Sequence, residues 1–251
     1  HFLYENQGGT FVATPLPLPS FPASVVKPVD FDRDGDMDLF IGSRVKWNSF
    51  PLAEDSWILI NDGGHYSSEH RMNFNLGMVT DAVWADYDGD GWEDLVLSRE
   101  WNSVMFLKNQ QGKQLVPQDL EEIESMHGMW FSIGSGDFDQ DGDPDFVLGN
   151  LGENHRFNIS TQYPLRIYAF DLDMNGTLDP ISTGYWKDQY DEMTEYPINY
   201  LDELAGQSNY FIQKYDSYTD FSYASIPEMF DTATLNRVND IFYINTASNY
   251  M

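Results

Sequence analysis

The sequence predicts an all-β fold, a β-propeller of four-stranded antiparallel blades, with about four blades in this chain and a small α-helical insertion. Three observations predict it. A nine-residue acidic loop occurs four times, a hairpin with a Gly-containing turn recurs between the loops, and the loops begin 56, 51 and 34 residues apart. Repeat units of about 50 residues that hold four short strands are typical of propeller blades.

The four acidic loops share one pattern. They read DFDRDGDMD (30–38), DYDGDGWED (86–94), DFDQDGDPD (137–145) and DLDMNGTLD (171–179). Asp or Asn occupies positions 1, 3, 5 and 9, and glycine occupies position 6. Oxygen atoms at alternate positions of a tight loop can converge on one hard cation, and the glycine permits the bend that returns position 9 to the ion. We therefore expect calcium as the cofactor, with three to four ions.

The predicted metal ligands occupy positions 1, 3, 5, 7 and 9 of each loop. They are Asp30, Asp32, Asp34, Asp36, Asp38, Asp86, Asp88, Asp90, Trp92, Asp94, Asp137, Asp139, Asp141, Asp143, Asp145, Asp171, Asp173, Asn175, Thr177 and Asp179. The fourth loop is the weakest candidate because Asn175 replaces a carboxylate. An acidic turn without metal is the alternative, but carboxylates crowded on one turn repel one another strongly unless a cation is present.

An EF-hand opens with the same spacing but needs a Glu at position 12 and a helix on each side. Position 12 here is Ile41, Leu97, Leu148 and Ser182. The segments before and after each loop are short apolar runs of strand-like composition, such as LFIGS and LVLS. Each acidic loop is therefore predicted to join two strands.

The first element in the chain, FLYENQGGTF, is a predicted hairpin that recurs as WILINDGGHY at 57–66 and more loosely as VMFLKNQQGKQL at 104–115. One acidic loop with its two strands, followed by one such hairpin, makes a four-stranded blade. The short step of 34 residues after the third loop means that the third blade has lost much of its outer hairpin or packs it differently.

The apolar spacing changes to three and four residues between 196 and 230, which predicts two or three short helices. We expect a helical insertion at 190–235 within the fourth blade of a single domain spanning 1–251. The tail IFYINTASNYM returns to strand character. Because the tail stops where the first hairpin begins in the repeat, either the two ends share a blade or the chain is part of a longer propeller. A monomer is expected.

The composition excludes several partners. The chain has 13 Lys+Arg against 41 Asp+Glu, a formal charge of -28. Four divalent ions would leave it at about -20, so nucleic acid and anionic membrane surfaces are not expected partners. There is no cysteine, and no apolar run is long enough to span a membrane. Calcium loops fill best where calcium is millimolar, which favours an extracellular, cell-surface or periplasmic location, with any signal peptide removed or outside this sequence.

The loops with their LFIGS-like strands and the YENQGGTF hairpins resemble the FG-GAP or VCBS repeats of integrin alpha-chain propellers and of many secreted bacterial proteins. The segments GNLGENHRF, YPLRIYAFDLDMNGTLDPI and ASIPEMF are similar to bacterial VCBS proteins found beside a domain called ASPIC, common in Bacteroidetes. This resemblance implies an exported calcium-bearing propeller with a helical insertion, used for binding or adhesion. It implies no particular ligand.

A ligand is expected on the face opposite the metal loops, where the connections leaving the second strand of each blade lie. Trp can stack on a sugar or peptide while Arg and Asn supply directional hydrogen bonds. The candidate ligand-binding residues are Arg44, Trp47, Asn48, Arg99, Trp101, Asn102, Trp130, Asn150, Asn154 and Arg156. The alternative is that these residues pack the blades, with each Arg paired to a neighbouring acid.

The expected partner is a glycan or a protein, and the expected role is binding without catalysis. No HExxH, GxSxG or phosphate-binding loop motif is present in the sequence. Two other functions stay open at this point. One is a polysaccharide lyase, since some rhamnogalacturonan lyases are calcium-bearing propellers, and the other is a purely structural spacer.

Overall fold

A computed structural model describes residues 1–152, 157, 159–215, 217–238 and 240–244. Strands dominate this part of the chain, and six short helices account for most of the rest of its regular structure. The strands form antiparallel sheets in sequential order along the chain. Among the residues described, no helix is both long enough and apolar enough to cross a membrane.

The chain opens with an N-terminal hairpin and then forms the first sheet. The hairpin consists of β1 (Phe2–Gln7) and β2 (Thr10–Pro15). The first sheet consists of β3 (Ala23–Val29), β4 (Asp38–Ser43), β5 (Ser56–Asp62) and β6 (His65–Phe74), adjacent in that order. The first acidic loop joins β3 to β4, and a Gly-Gly turn joins β5 to β6.

The second sheet repeats this arrangement, whereas the third is shorter. The second sheet consists of β7 (Val79–Ala85), β8 (Asp94–Asn102), β9 (Met105–Asn109) and β10 (Leu115–Pro117). Helix α1 (Glu121–Glu124) then leads to the third sheet, which consists of β11 (Gly128–Gly136) and β12 (Asp145–Asn150). The long strand β8 also pairs with the start of β11, which joins the second and third sheets.

The fourth sheet has the strand order β15–β14–β13–β16 and contains the helices between its last two strands in sequence. Its strands are β13 (Leu165–Ala169), β14 (Ile181–Lys187), β15 (Met193–Pro197) and β16 (Asp240–Ile244). The helices are α2 (Leu201–Gln207), α3 (Asn209–Lys214), α4 (Tyr218–Ser222), α5 (Ile226–Met229) and α6 (Thr232–Leu235). The strand β15 is the outer edge of this sheet.

The predicted all-β architecture of antiparallel four-stranded blades is confirmed, and the arrangement is propeller-like. The sequence predicted that the third blade has lost much of its outer hairpin. In the part of the chain described, the third sheet has two strands and no outer hairpin. The first two acidic-loop sheets follow the predicted order of strand, loop, strand, connection and hairpin.

The first strands of successive sheets lie side by side, β3 against β7 and β7 against β11. Each of these strands has a register shift, or β-bulge, near its start. In the first two sheets the bulge falls at Ser24 and Thr80. The bulge turns the Ser24 hydroxyl toward the Val79 carbonyl oxygen, 2.7 Å away, and the Thr80 hydroxyl toward the Trp130 carbonyl oxygen, 2.5 Å away. The two hydroxyl groups therefore link three sheets in series.

A charged contact strengthens the same junction. The ammonium group of Lys27 on β3 lies 2.9 Å from the Asp81 carboxylate on β7. The other oxygen of Asp81 accepts a hydrogen bond from the Ile133 amide on β11, at 3.2 Å. Hydrogen bonds and this ion pair lower the pKa of Asp81 against the raising effect of its burial. One carboxylate thus contacts both neighbouring sheets.

Apolar packing fills the space between adjacent sheets. One cluster lies between the first and second sheets and includes Phe31, Phe40, Ile58 and Leu95, all fully buried. A second cluster packs the helices onto the fourth sheet. Burying this much apolar side-chain area is the main favourable contribution to the folding free energy.

The hairpin turn of the second sheet touches the first acidic loop at Gly112. A Cβ atom at this position would lie 2.5 Å from the Asp32 Cα atom and 2.7 Å from its Cβ atom. The φ angle of Gly112 is also positive, +72°. Only glycine meets both requirements without displacing the neighbouring backbone.

We expect Gly112→Ala to lower the free energy of unfolding by about 2–3 kcal/mol, because it adds both backbone strain and a steric clash. Gly63→Ala is the matched control: its φ angle is +62°, and nothing lies within 4 Å of its added Cβ atom. The control should lose only about 1 kcal/mol. Chemical denaturation of both variants measures the difference, and equal losses would show that the contact between turn and loop is unimportant.

Candidate metal centre and ligand surfaces

Each acidic loop brings three carboxylates together. One oxygen atom from each of the three lies within 4.8 Å of the other two. The sets are Asp30, Asp32 and Asp38; Asp86, Asp88 and Asp90; Asp137, Asp139 and Asp145; and Asp171, Asp173 and Asp179. Three of the four sets therefore combine positions 1, 3 and 9, as the spacing predicts.

The four loops also share a backbone conformation. The glycine at position 6 has a positive φ angle in all of them, from +87° at Gly176 to +100° at Gly142. Position 4 is left-handed as well, although three of its four residues carry side chains. The φ angles there are +63° at Arg33, +71° at Gly89, +67° at Gln140 and +58° at Met174. Such strain persists where the surrounding structure fixes the loop, as at binding sites.

The side chain at position 5 holds the turn. Its oxygen accepts a hydrogen bond from the position 7 amide in every loop. The pairs are Asp34 with Asp36 at 2.8 Å, Asp90 with Trp92 at 2.9 Å, Asp141 with Asp143 at 3.0 Å and Asn175 with Thr177 at 2.7 Å. Asn175 makes this contact as well as an aspartate does, so the fourth loop differs in charge and not in shape.

The aspartate at position 9 has a second role that the sequence analysis missed. Asp38 and Asp94 are fully buried. Asp38 accepts hydrogen bonds from the Phe31 amide in its own loop and from the Asn61 amide in the outer hairpin, at 2.8 and 2.7 Å. Asp94 likewise accepts from the Asn109 amide at 2.7 Å. The Asn that recurs before each hairpin turn was the available signal for this contact.

Burial and neighbouring acids affect the protonation of these groups. Burial raises the pKa of Asp94 to about 6. It also raises the pKa of Asp38 and Asp179, against the lowering effect of their backbone hydrogen bonds. The neighbouring loop carboxylates act in the same raising direction. These buried carboxylates therefore carry negative charge at an energetic cost that a cation would offset.

Some carboxylate oxygens in the loops have no hydrogen-bond partner within the described residues. They are Asp30 Oδ1, Asp86 Oδ1 and Asp94 Oδ2, and all three are buried. A buried oxygen without a partner is unfavourable unless it binds an ion or water. The donor set contains oxygen atoms alone, which suits a hard cation such as calcium. The residues present thus fit the expected ion.

The second loop differs from the others because a lysine lies beside it. The Lys108 ammonium group on β9 contacts the Asp88 carboxylate and lies 2.9 Å from Asp90. These contacts raise the pKa of Lys108 and contribute to lowering that of Asp90. Part of the negative charge of this loop is therefore already balanced by the protein.

The first and second loops contact each other. The Arg33 guanidinium group lies 4.5 Å from the centre of the Trp92 ring. The Asn109 side-chain amide donates a hydrogen bond to the Phe31 carbonyl oxygen at 3.1 Å. The first contact joins the two acidic loops directly. The second contact joins the first acidic loop to the end of β9 in the second sheet.

The predicted ligand residues Arg44 and Arg99 are not equivalent in the structure. Arg44 donates two hydrogen bonds to Glu100, from Nε at 2.6 Å and from Nη2 at 2.8 Å. Arg99 is only 6% exposed, and it donates to the Ser103 and Leu76 carbonyl oxygens at 2.8 and 3.1 Å. Burial lowers the pKa of Arg99 to about 10. Because the Arg99 donors are used within the protein, its burial favours the packing interpretation, and a ligand contact stays a prediction for both arginines.

Trp47 and Asn48 are exposed as predicted for ligand contacts. The Trp47 side chain is 84% exposed and lies in the connection that follows β4. Since the first acidic loop precedes β4, Trp47 and the loop lie at opposite ends of that strand. Asn154 and Arg156 fall outside the described residues.

The remaining predicted residues are partly buried and have contacts within the protein. Trp101 and Asn102 end β8. The Trp130 indole N–H donates to the Met126 carbonyl oxygen at 3.2 Å, and Trp130 pairs with Asn150 across β11 and β12. The interpretation of these positions as blade packing therefore explains Trp130 and Asn150 better than ligand binding does.

A large cleft lies elsewhere, between the outer edge of the fourth sheet and the helices. Its volume is about 910 Å³, and its lining includes Trp186, Tyr190, Tyr200, Tyr218 and Tyr223. The sequence analysis did not predict it. The available signal was the clustering of eight of the 15 tyrosines between positions 185 and 223.

The sheets and loops together define a propeller-like repeat protein whose acidic loops suit a divalent cation. The FG-GAP-like repeat family matches residues 86–148, from the second acidic loop to β12. FG-GAP repeats form propeller-type modules that often bind ligands and calcium and are typically extracellular. Comparison with curated proteins gave no match, and neither did comparison with solved structures.

We expect Arg44→Ala to lower the free energy of unfolding by about 2 kcal/mol, because Glu100 is 2% exposed and would be left buried without its partner. The estimate is below the range for fully buried pairs since the Arg44 side chain is 51% exposed. Lys187→Ala serves as the control. It breaks the solvent-exposed pair with Asp191 and should change stability little. Equal effects of the two substitutions in urea denaturation would show that Arg44 does not stabilise the buried Glu100 carboxylate.

Proposed function

We propose that this protein is an exported calcium-binding propeller-like module that binds a glycan or protein ligand, with calcium in a structural role. The observation that carries the proposal is the convergence of three carboxylates in each of four loops of the same shape. Neighbouring negative charges at such short distances are stabilised by a divalent cation.

A structural role for calcium is supported by the position of the loops. In the first two sheets, the position 9 aspartate accepts a hydrogen bond from the outer hairpin, and Asp38 also accepts one from the Phe31 amide of its own loop. An ion bound by the loop would therefore also fix the outer strands. Calcium ions replace the stabilising cross-links that a chain without cysteine lacks.

A binding role is supported by the exposed Trp47 and by the family match. Trp47 is 84% exposed and offers its ring for stacking, and tryptophan is enriched at binding interfaces. FG-GAP repeats are often ligand-binding and typically non-enzymatic. Export is supported by the usual extracellular location of such repeats.

The first test is thermal unfolding in millimolar calcium and in excess chelator. Binding to the folded state alone adds about 2.7 kcal/mol for each site when calcium is at a hundred times its Kd. With three to four sites we expect the melting temperature to fall by roughly 10 °C or more in chelator. The same melting temperature in both buffers would rule out structural calcium.

Substitutions at position 5 provide a matched comparison for the same test. Asp34→Ala, Asp141→Ala and Asn175→Ala each remove one hydrogen bond to the position 7 amide. In chelator the three variants should therefore lose similar stability. In calcium, the two aspartate variants should lose about 1–2 kcal/mol more than the Asn175 variant, because they also remove a carboxylate ligand. Equal losses in calcium would contradict the ranking.

The ligand is tested on an array of glycans and proteins in buffered calcium, repeated with chelator. We expect Trp47→Ala to weaken binding of any ligand found by about tenfold or more, as for other exposed aromatic contacts. Tyr4→Ala is the control, because this tyrosine is 63% exposed on the N-terminal hairpin. Unchanged binding by a folded Trp47→Ala variant would remove this surface from the proposal.

A further inference from the structure

The cleft in the fourth sheet lies between a strand edge and two helices. One wall is formed by the end of β14, the turn at 188–192 and the outer strand β15, and the other by α4 and α5. Its volume of about 910 Å³ is within the range of about 300–1,000 Å³ typical of small-molecule sites.

Aromatic side chains line both walls and are open to solvent. Tyr190 and Tyr223 are each 76% exposed, Tyr218 is 57% exposed and Tyr200 is 56% exposed. The partly buried Trp186 lies beside them. Exposed aromatic rings grouped in one concave site are unusual on a surface that serves only to face water.

These rings are not part of the apolar core beneath them. Helices α3, α4 and α5 bury Phe211, Phe221 and Met229 against the fourth sheet. The core of the helical segment is therefore completed by other residues. Tyr218 and Tyr223 lie on or beside the same helices and remain exposed, so core packing does not account for them.

The ionic groups of the cleft are used within the protein. Asp188 accepts hydrogen bonds from the Tyr190 and Glu192 amides, at 2.8 and 3.0 Å. Glu228 accepts from the Ser225 amide and hydroxyl group, at 3.0 and 2.8 Å, and these bonds lower the pKa of Glu228. Each carboxylate therefore stabilises a local turn or helix end.

The one lysine of the cleft is also paired. The Lys187 ammonium group lies 2.6 Å from the Asp191 carboxylate. The other polar side chains of the cleft are uncharged. Among them, the hydroxyl groups of Tyr190, Tyr218 and Tyr223 make no hydrogen bond to other described residues. The chain as a whole has a formal charge of -28, which repels anionic ligands.

We propose that this cleft binds a neutral oligosaccharide. The sugar rings would stack on the tyrosine rings, and the sugar hydroxyl groups would exchange hydrogen bonds with the phenol groups. The inference rests on the proposed binding role and names the ligand class, but it does not depend on the calcium loops.

An extended peptide pairing with the edge of β15 is the competing occupant. This strand has five residues and ends at Pro197, which has no amide hydrogen to donate. The edge therefore offers few hydrogen bonds for an added strand, whereas the aromatic walls offer a large stacking surface. The observations favour the oligosaccharide.

Isothermal titration of the full chain in calcium tests the proposal. The probes are short oligosaccharides of glucose, mannose and xylose, an oligogalacturonate as the anionic probe and an uncharged Thr- and Val-containing peptide as the peptide probe. We expect at least one neutral oligosaccharide to bind, and the anionic and peptide probes not to bind. Tyr190→Ala and Tyr223→Ala should each weaken binding about tenfold.

Two further variants sharpen the result. Tyr223→Phe should retain most of the affinity, because it keeps the stacking ring and loses only the hydroxyl group. Tyr4→Ala should bind as tightly as the unmodified protein. Because the substituted side chains are exposed, all variants should unfold at the same temperature.

The outcomes separate this inference from the proposed function. If only the uncharged peptide or oligogalacturonate binds, or if Tyr190→Ala and Tyr223→Ala bind the sugar normally, the cleft assignment is overturned. If sugar binding is lost in Trp47→Ala alone, the binding role stands and the cleft fails. If no probe binds here and the glycan and protein array is also empty, both proposals fail.

Discussion

The aspartate at the end of each acidic loop, buried in three of the four, makes the contacts on which the rest of the structure depends. A buried carboxylate is stable only when its oxygens are hydrogen-bonded or bind an ion. Asp38 meets this need with hydrogen bonds from its own loop and from the outer hairpin, whereas Asp94 accepts one from the hairpin and its Oδ2 has no partner among the described residues. The third sheet has no outer hairpin in the described part, and its Asp145 is only partly buried. In these three sheets the burial of the last aspartate of the acidic loop therefore follows how much outer structure the sheet retains.

The helices give the fourth loop a comparable cover by different means. Its Leu172 packs into the core that the helices form with the fourth sheet. Arg237, which follows α6, donates hydrogen bonds to the carbonyl oxygens of Asp171 and Leu172, at 2.6 and 3.3 Å. Asp179 is 1% exposed as a result. The helical segment between β15 and β16 thus helps to enclose the fourth acidic loop, and its residues also line the aromatic cleft.

The sequence predicted features that follow from short-range patterns and missed those that depend on contacts between sheets. Loop spacing, glycine positions and hairpin turns are local, so the strand order and the carboxylate clusters could be predicted. The ion pair between Arg44 and Glu100 joins different sheets, and Glu100 had no distinguishing local pattern. The resemblance between the connections at Arg44 and Arg99 was real in sequence, yet burial separated their roles. The cleft was missed because its tyrosines come from segments that approach each other only in the folded chain.

The contacts between the first two acidic loops make the two loops one connected unit. The ring of Trp92 lies in the second loop, and the Arg33 side chain above it lies in the first. Gly112 and Asn109 hold the same two regions together. A change in the shape of one loop is therefore transmitted to the other through these contacts. If each loop holds a cation, the two cations would act on this shared unit and not on two separate turns.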